Sequence, residues 1–555
     1  VLEGHRFAVR PIDPDAPLLS WGLPFGIALT LIRPGQYVHN ADMLAALAER
    51  NVAFSLPPAP NFRNRIEPYV LDETQFIPGR QADLYDATRT FLGYVRLGGR
   101  GVGTRNYIVI LGATARTAGY ARRLAEALAP LAADHERVDG ITALAHTEGD
   151  GAEPLNNREY LLRTLAGLMV HPNVGAVLAA DYGAEPVNND VLRSFMHENG
   201  YPLEHVRHRF LRLSGTFERD LAAGAAIVQA WLPRVNLDER VPVSAANLTI
   251  ALQCGGSDAF SGVSGNPLAG AVAKEIIRYG GRANLAETDE LIGAEPYMLQ
   301  NMRDVTVARR FLQFIAEFKE RVAWHGATAE GNPTGGNRYR GLYNIALKSI
   351  GAGMKRHPDV RLDYAVDDAE PLDEPGFYFM HTPGNALESI AGQVAGGSNM
   401  IFFVTGNGSI TNFPFVPTIK LVTTTPRFKM LAHEMDVNAG AYQDGRAMEE
   451  LTDEMLDLTL RIASGEPSKG ERAGHAQISI WRNWRQTDGS RLAAIRQAPA
   501  PAGKALTVRT DDLLTEQPAF RAVAADHGVV SRQVGLILPT SLCSGQIARL
   551  AAERL

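Results

Sequence analysis

YIVILGATARTAGYARRLAEALAPLA, residues 107–132, decides the fold class. Its first six residues are an apolar run of strand length, and after a short polar loop ARRLAEALAPLA places Leu124, Leu128 and Leu131 on one helical face. A buried strand feeding an amphipathic helix is the repeating unit of an α/β protein. The same change of period recurs along the chain, in VGAVLAADYG, LTIALQCGG, FYFMHTPG, MIFFVTGNG and IKLVTTTP, each ending in a polar or glycine-rich turn. Continuous apolar strands that alternate with helices predict parallel sheets covered on both faces. RRFLQFIAEFKERVAW puts Phe311, Ile315, Phe318 and Val322 on one side and is expected to cover such a sheet.

The 555 residues exceed what one hydrophobic core can organise. Residues 1–51, with HRFAV and IALTLI separated by Pro and Gly turns and closed by ADMLAALAER, predict a small β-rich domain ending in a short helix. Residues 52–90 are rich in proline and lack sustained periodicity, which predicts an extended linker. A first α/β domain is expected over 91–240 and a second over 241–555. The latter carries an irregular stretch at about 464–505, then a last strand, VGLILP, and a last helix, GQIARLAAERL.

Composition narrows the function. A net charge of −6 without a basic tract excludes general attraction for nucleic acid, and no apolar run reaches the length of a membrane span. Two cysteines, Cys254 and Cys543, make no disulfide framework and fit a reducing compartment, so a cytoplasmic protein is expected. The first residues, VLEGHRFAVR, show no secretory pattern. GGRGVGTRNY precedes a strand instead of following one, and neither a phosphate-binding loop ending in G-K-[ST] nor a G-x-S-x-G elbow occurs.

Chemistry is expected where strands end, because turns there bring backbone amides and helix N-termini to an anion. LQCGGSDAF (252–260) has this form, and so do TPGNALES (382–389), TGNGS (405–409) and LPTSLCSGQ (538–546). Cys254 reads either as a nucleophile or as a small packing residue. His146, with Glu148 and Asp150 in AHTEGDGAE, has ligand types suited to a divalent ion. Glu287, Glu290 and Glu295 in AETDELIGAE read as a solvated face or an N-terminal turn, with metal ligation as the alternative.

GYVRLGGRGVGTRNY, RTLAGLMVHPNVGAVL, LQCGGSDAFSGVSGNPLAGA, NLAETDELIGAE, GNPTGGN, TPGNALESIAGQVAGGSNMIFF and LPTSLCSGQIARLAAERL together resemble the altronate/galactarate dehydratase family of sugar-acid lyases. The likeness runs from about residue 91 to the end of the chain, and residues 5–50 resemble the SAF-type β-clip domain of that family. The resemblance implies loss of water from a 2,3-dihydroxy acid to give a 2-keto-3-deoxy acid, with a divalent metal. Sulfolactate sulfo-lyase is a relative, so the family leaves the leaving group open. Two alternatives stand beside dehydration: expulsion of sulfite or an amine from a smaller acid, and an inactive paralogue that only binds a sugar acid.

The departures from the family pattern matter equally. Where relatives carry Asn-Cys-Ser, Gly-Cys-Gly and Gly-Cys-Glu, this chain has Ala115-Arg116-Thr117, Gly149-Asp150-Gly151 and Gly183-Ala184-Glu185. The joint loss implies that the three cysteines form one thiolate site in relatives. Met-Asp-Thr-Pro-Gly becomes Met380-His381-Thr382-Pro383-Gly384, and of a His-rich N-terminal pattern only His39 remains, with Tyr37, Ala41 and Asp42 at the neighbouring positions.

By this reading Cys254, Ser257, Asp258 and His381 are the expected catalytic residues. Arg105, Asn106, Gly255, Gly256, Asn337, Thr382, Lys420 and Ser544 are expected to bind the hydroxy-acid substrate. His146, Asp150 and Glu185 would hold Mg²⁺, Mn²⁺ or Fe²⁺ in place of the thiolates. A homodimer without nucleic-acid or membrane partners is expected.

Overall fold

The computed structural model describes residues 2–482 apart from 51, 53, 67, 151–154 and 156, and beyond them 490–499, 521–525, 528–530, 532, 534–539 and 542–554. The chain forms two units, the first ending at Trp484 and the second running from Arg485 to Leu555.

The first unit opens with a three-stranded antiparallel sheet of β1 (Pro17–Ser20), β2 (Leu23–Ala28) and β3 (Phe62–Asn64). Strand β3 falls in the stretch read as a linker, because Phe62 is fully buried and meets the Phe25 ring edge-on at 5.5 Å. The helix Ala41–Ala48 starts where the Asn40 side chain accepts the Met43 N–H. The apolar core of this sheet continues into Leu342, Tyr343, Ala346 and Leu347 much further along the chain.

Strand β4 (Thr90–Val95) follows, pairs antiparallel with β5 (Val102–Gly103), and leads into a four-stranded sheet. That sheet comprises β6 (Tyr107–Gly112), β7 (Gly140–Leu144), β8 (Val174–Asp181) and β9 (Arg207–Arg212), all parallel, in the order β7-β6-β8-β9. Alternation of side chains along β6 feeds two cores: Ile108 and Ile110 pack with Leu124 and Leu128 of the helix Ala118–Leu128, while Val109 and Leu111 pack with Leu161 and Leu165 of the helix Arg158–Val170.

Strand β10 (Val241–Ser244) returns to pair with β4. The second sheet has seven parallel strands: β11 (Thr249–Cys254), β12 (Arg282–Leu285), β13 (Leu362–Val366), β14 (Gly376–Met380), β15 (Met400–Thr405), β16 (Thr418–Val422) and β17 (Val437–Asn438), in the order β13-β14-β12-β11-β15-β16-β17. Every residue of β11, β14, β15 and β16 is buried, which is why these strands read as unbroken apolar runs. The helix Val305–Trp324 lays Phe311, Ile315 and Phe318 on this core with Val322 partly buried against it, as the spacing predicts, and adds Phe314. Two α/β layers with a small β-rich N-terminal sheet are therefore present.

Arg105 ties the two α/β parts together. Its Nε and Nη2 donate to Glu471, Nη1 to the carbonyls of Thr104 and Ile462, and Nη2 also to that of Glu466. No donor is left for a substrate, which corrects its reading as an anchor. Asn106 is likewise spent, donating to the Arg137 and Val235 carbonyls and accepting from Arg96.

In the second unit, Val523–Ala525 and Gly528–Val530 form an antiparallel hairpin, and Leu542–Arg554 is a helix that carries Ser544. VGLILP forms no strand, and its Val534, Leu536 and Leu538 are exposed. The Cys543 side chain and residues 540–541 of LPTSLCSGQ lie outside the described residues. Among the described residues no helix is long and apolar enough to cross a membrane.

Candidate functional site

Three strands of the large sheet, β11, β12 and β14, end within reach of one buried cluster. Cys254 is the last residue of β11, and the chain turns at Gly256, whose φ is 103°. Gly255 is required by the Phe403 ring, into which any Cβ would run. Asn337 pins the turn by donating to the Ser257 carbonyl at 2.7 Å, and the Ser257 hydroxyl lies 2.9 Å from Cys254 Sγ. The Cys254 N–H donates to Glu287 Oε2 at 2.8 Å, which joins the end of β11 to the end of β12.

Glu287 stands in the left-handed region with φ 70°, a conformation that non-glycine residues adopt only when their surroundings hold them. Here the holder is the turn after β14. The Glu287 N–H donates to Thr382 Oγ1 at 2.9 Å, the Thr288 N–H to the Thr382 carbonyl at 2.9 Å, and Thr382 Oγ1 lies 2.6 Å from Ser389 Oγ. The short turn that follows brings Asp289 and Glu290 into the same interior.

Two lysines face these acids. Lys348, on the helix Ile345–Gly353, lies 2.9 Å from Glu290 Oε1 and 2.5 Å from Asn332 Oδ1; Asn332 in turn donates to Asp289. Lys355, just beyond that helix, lies 3.2 Å from Glu287 Oε2 and 3.9 Å from Glu290 Oε2. No member of this acid–lysine set is more than 8% exposed, so charge is balanced here by neighbours and not by solvent. Glu287 Oε1, Glu290 Oε2 and Asp289 Oδ1 remain buried without a hydrogen-bond partner.

Burial pushes Glu287 up to about 8, with the Glu290 charge adding to it, and pushes Asp289 up to about 6. Glu290 moves the other way: burial opposes ionisation, but Lys348 and Lys355 outweigh it and hold the carboxyl below its ordinary value. Burial alone would lower both lysines, and the facing carboxylates reverse that, so both ammoniums lie above the ordinary lysine value. The Cys254 thiol is pushed up to about 12, first by burial and then by the two glutamates, so it keeps its proton and is no nucleophile at neutral pH.

Among the described residues, Cys254, Glu287 and Glu290 could hold a metal ion: their ligand atoms lie within 4.8 Å of one another. The acids of ETDELIGAE are thus interior groups. Glu295 is buried too, accepting the Gly293 N–H and facing Lys319 at 3.6 Å, so the solvated-face reading of all three glutamates is corrected.

The expected metal set does not assemble. His146 donates from Nε2 to the Gly112 carbonyl and accepts the Glu148 N–H at Nδ1, which leaves no lone pair for an ion. Asp150 pairs with Arg116 at 2.7 Å, and Glu185 accepts the Tyr182 N–H. Arg116 and Asp150 are two of the three positions where the family resemblance implies cysteine; they meet beyond the ends of β6 and β7, while Ala184 follows β8.

Other expected residues have positioning roles. Asp258 accepts from the Phe260 and Ser261 N–H groups, the Ser261 and Thr423 hydroxyls and Arg427, so both oxygens are engaged and neither is a free base. His381 is fully buried, stacked on Phe314 at 4.7 Å, with Nδ1 2.8 Å from Thr288 Oγ1; burial and then Arg321 bring it down to about 3, which removes it as an acid or base near neutrality. Lys420 is buried on β16 with its Nζ unpartnered, and burial lowers its pKa. Sequence reasoning missed Asp289, Asn332, Lys348 and Lys355. A signal was present in IALKSIGAGMK (345–355), where two lysines seven residues apart share one side of an otherwise apolar stretch.

Residues 93–236 match the second domain of D-galactarate dehydratase/altronate hydrolase, and residues 245–486 match the C-terminal domain of D-galactarate/altronate dehydratase. The chain is 28% identical to an altronate dehydratase of Escherichia coli and 28% identical to one of Bacillus subtilis, in each case over 87% of this chain and 92% of the relative. It is also 28% identical to the β subunit of a (2R)-sulfolactate sulfo-lyase of Chromohalobacter salexigens, over 71% of this chain and 97% of that subunit. With both family domains in order along the chain, one over the four-stranded sheet and the other over the seven-stranded sheet that carries the cluster, the chain belongs to the altronate/galactarate dehydratase family.

Proposed function

We propose that the protein is a hydro-lyase that removes water from a 2,3-dihydroxy sugar acid and releases a 2-keto-3-deoxy acid, with the chemistry at the Glu287–Asp289–Glu290–Lys348–Lys355 cluster. One observation carries the reading: acids and ammoniums are buried together at strand ends of the family's C-terminal domain, with three carboxylate oxygens left unpartnered.

The elimination needs a base for the weakly acidic α-proton, positive charge beside the enediolate, and an acid for the departing hydroxyl. Asp289 is the base, taking the proton at its free Oδ1. Lys348 lies against the substrate carboxylate and stabilises the charge that grows on it. As the C3–O bond breaks, its electron pair leaves with oxygen, and the Lys355 ammonium supplies the proton that makes water. The enol then tautomerises to the keto acid. Cys254, Glu287 and Glu290 fit a divalent ion, their mixed thiol and carboxylate donors suiting Fe²⁺ better than Mg²⁺. When bound, such an ion would supply Lewis-acid stabilisation of the same negative charge.

The test is keto-acid formation from a panel of aldarates, aldonates and short hydroxy acids that includes (2R)-sulfolactate, run with metal analysis of the purified protein. Keto acid without sulfite is expected, and Asp289→Asn is expected to lower kcat at least ~100-fold. Sulfite release, or no product from any acid, would overturn the proposal.

A further inference from the structure

A pocket of about 500 Å³ lies where the N-terminal sheet, the chain that leaves it and the large-sheet part meet. Leu23 and Ile27 of β2 form one wall, Pro68 and Tyr69 a second, Glu295 and Ala346 a third. Its size is that of a small-molecule site, and none of the proposed chemistry uses it.

The lining describes what would fit. Four of the residues around the pocket are prolines, Pro17, Pro24, Pro68 and Pro296. Proline rings and aromatic rings pack face to face, the contact by which proline-rich peptides lie in aromatic grooves. Val70 borders the pocket at 83% exposed, with Leu19 and Tyr69 also open to solvent. Large apolar side chains left in water around a cavity mark a place that an apolar body covers. The charge is acidic. Glu295 is buried; its Oε2 accepts the Gly293 N–H at 2.6 Å, and Lys319 approaches Oε1 only to 3.6 Å. Asp15 is exposed and makes no ion pair among the described residues. Among the described residues that line the pocket Arg65 is the one cation, and it already has a partner. An ammonium on an apolar body would therefore be favoured, and a carboxylate on the same body would be repelled.

The pocket also touches both halves of a pair in the acid–lysine cluster. Glu290 and Lys348 lie 2.9 Å apart. Gly293, three residues after Glu290, stands at φ 90°, and a Cβ there would lie 3.3 Å from the Ala346 Cα. Gly293 and Ala346 both line the pocket. The segment that carries Glu290 and the helix that carries Lys348 thus meet at its wall, and an occupant bears on both.

We infer that this pocket is an effector site for a small amphipathic cation, an aromatic body carrying an ammonium, whose binding steadies the Glu290–Lys348 contact from outside the cluster. The inference goes beyond the dehydratase reading and does not require it.

Titration calorimetry on the full chain with phenethylamine, phenethyl alcohol and phenylacetate offers one body with three heads. The amine is expected to bind at least ~10-fold tighter than the acid, with the alcohol between them. Glu295→Gln keeps an acceptor for the Gly293 N–H and is expected to bring the amine down to the level of the alcohol. Asp15→Asn, at an exposed position, guards against misfolding of the buried variant and is expected to weaken the amine alone. Leu19→Trp fills the pocket from its exposed side and is expected to weaken all three compounds with an unchanged melting temperature. Hydrogen exchange reads the coupling without any turnover: at about ten times its Kd the amine should slow exchange in 287–295 and 345–355 about tenfold, because only unliganded molecules open, and should not do so in Leu19→Trp. No binding of the amine, equal binding of amine and acid, or full binding in Leu19→Trp would overturn the inference. So would amine binding that neither acid variant weakens, or slowed exchange confined to the N-terminal sheet.

Discussion

Lys355 and Glu287 are both sealed from solvent, with relative exposures of 1% and 0%, and each is the other's nearest opposite charge. A buried pair of this kind adds little net stability against an apolar replacement, but removing one partner strands the other. Lys355→Met is therefore expected to destabilise the protein by about 3–5 kcal/mol, and adding Glu287→Gln to it should recover part of the loss. Urea unfolding of the single and double variants measures both. If the double variant were no better than the single one, the ion pair would not be the cause.

At the scale of elements, what matters is which turn holds which. The turn after β14 supports the turn after β12 through Thr382, whose Oγ1 accepts the N–H of left-handed Glu287. Thr382→Val keeps the shape, removes that acceptor and leaves a buried donor unpaired, a cost of about 1–3 kcal/mol. On the proposed mechanism the expected kinetic signature is a fall in kcat with KM nearly unchanged, because Lys348 and Lys355 stay in place; a pure KM effect would contradict the positioning role. The apolar runs of β6, β8, β11, β14 and β15 made the elements themselves legible, since a strand buried on both faces has no alternative composition. The turns at their ends were legible too, and the acid–lysine cluster lies at them. The roles within them were not. Asp258 looked like a base and proved fully hydrogen-bonded, while Glu287 and Glu290 looked solvated because their counter-charges come from lysines about sixty residues later. Burial of an acid depends on its partner in space, and spacing along the chain does not reveal it. Strand β3 escaped notice for a related reason: three residues amid prolines carry no period, and only packing of Phe62 makes them a strand.

For the molecule as a whole, acid is the expected weakness. His146 and His171 are buried in the first α/β part, each donating from Nε2 to a backbone carbonyl and accepting a backbone N–H at Nδ1, so each is fixed as the neutral tautomer. Burial lowers His146 to about 4 and His171 to about 3, from an ordinary value of 6.5. The unfolded chain therefore takes up these protons first: the stability they confer is complete above about pH 6.5 and is lost as pH falls toward the folded values. Urea midpoints measured from pH 7.5 to pH 4.5 should fall steadily, and His171→Gln should flatten the lower part of the curve. A profile flat down to pH 4.5 would contradict this.

The helix Ile345–Gly353 gives Ala346 and Leu347 to the core of the N-terminal sheet and Lys348 to the acid cluster. Covalent continuity and structural membership are thus different things here. A protease cut in the exposed 83–88 stretch would sever the backbone without freeing the first eighty residues, and the nicked protein would elute as one particle. Stripping the front fragment away with denaturant would do more than shorten the chain. It would unseat the helix that sets Lys348 against Glu290, so on the proposed mechanism returning that fragment in trans should restore activity as a folding event and not as the docking of an accessory.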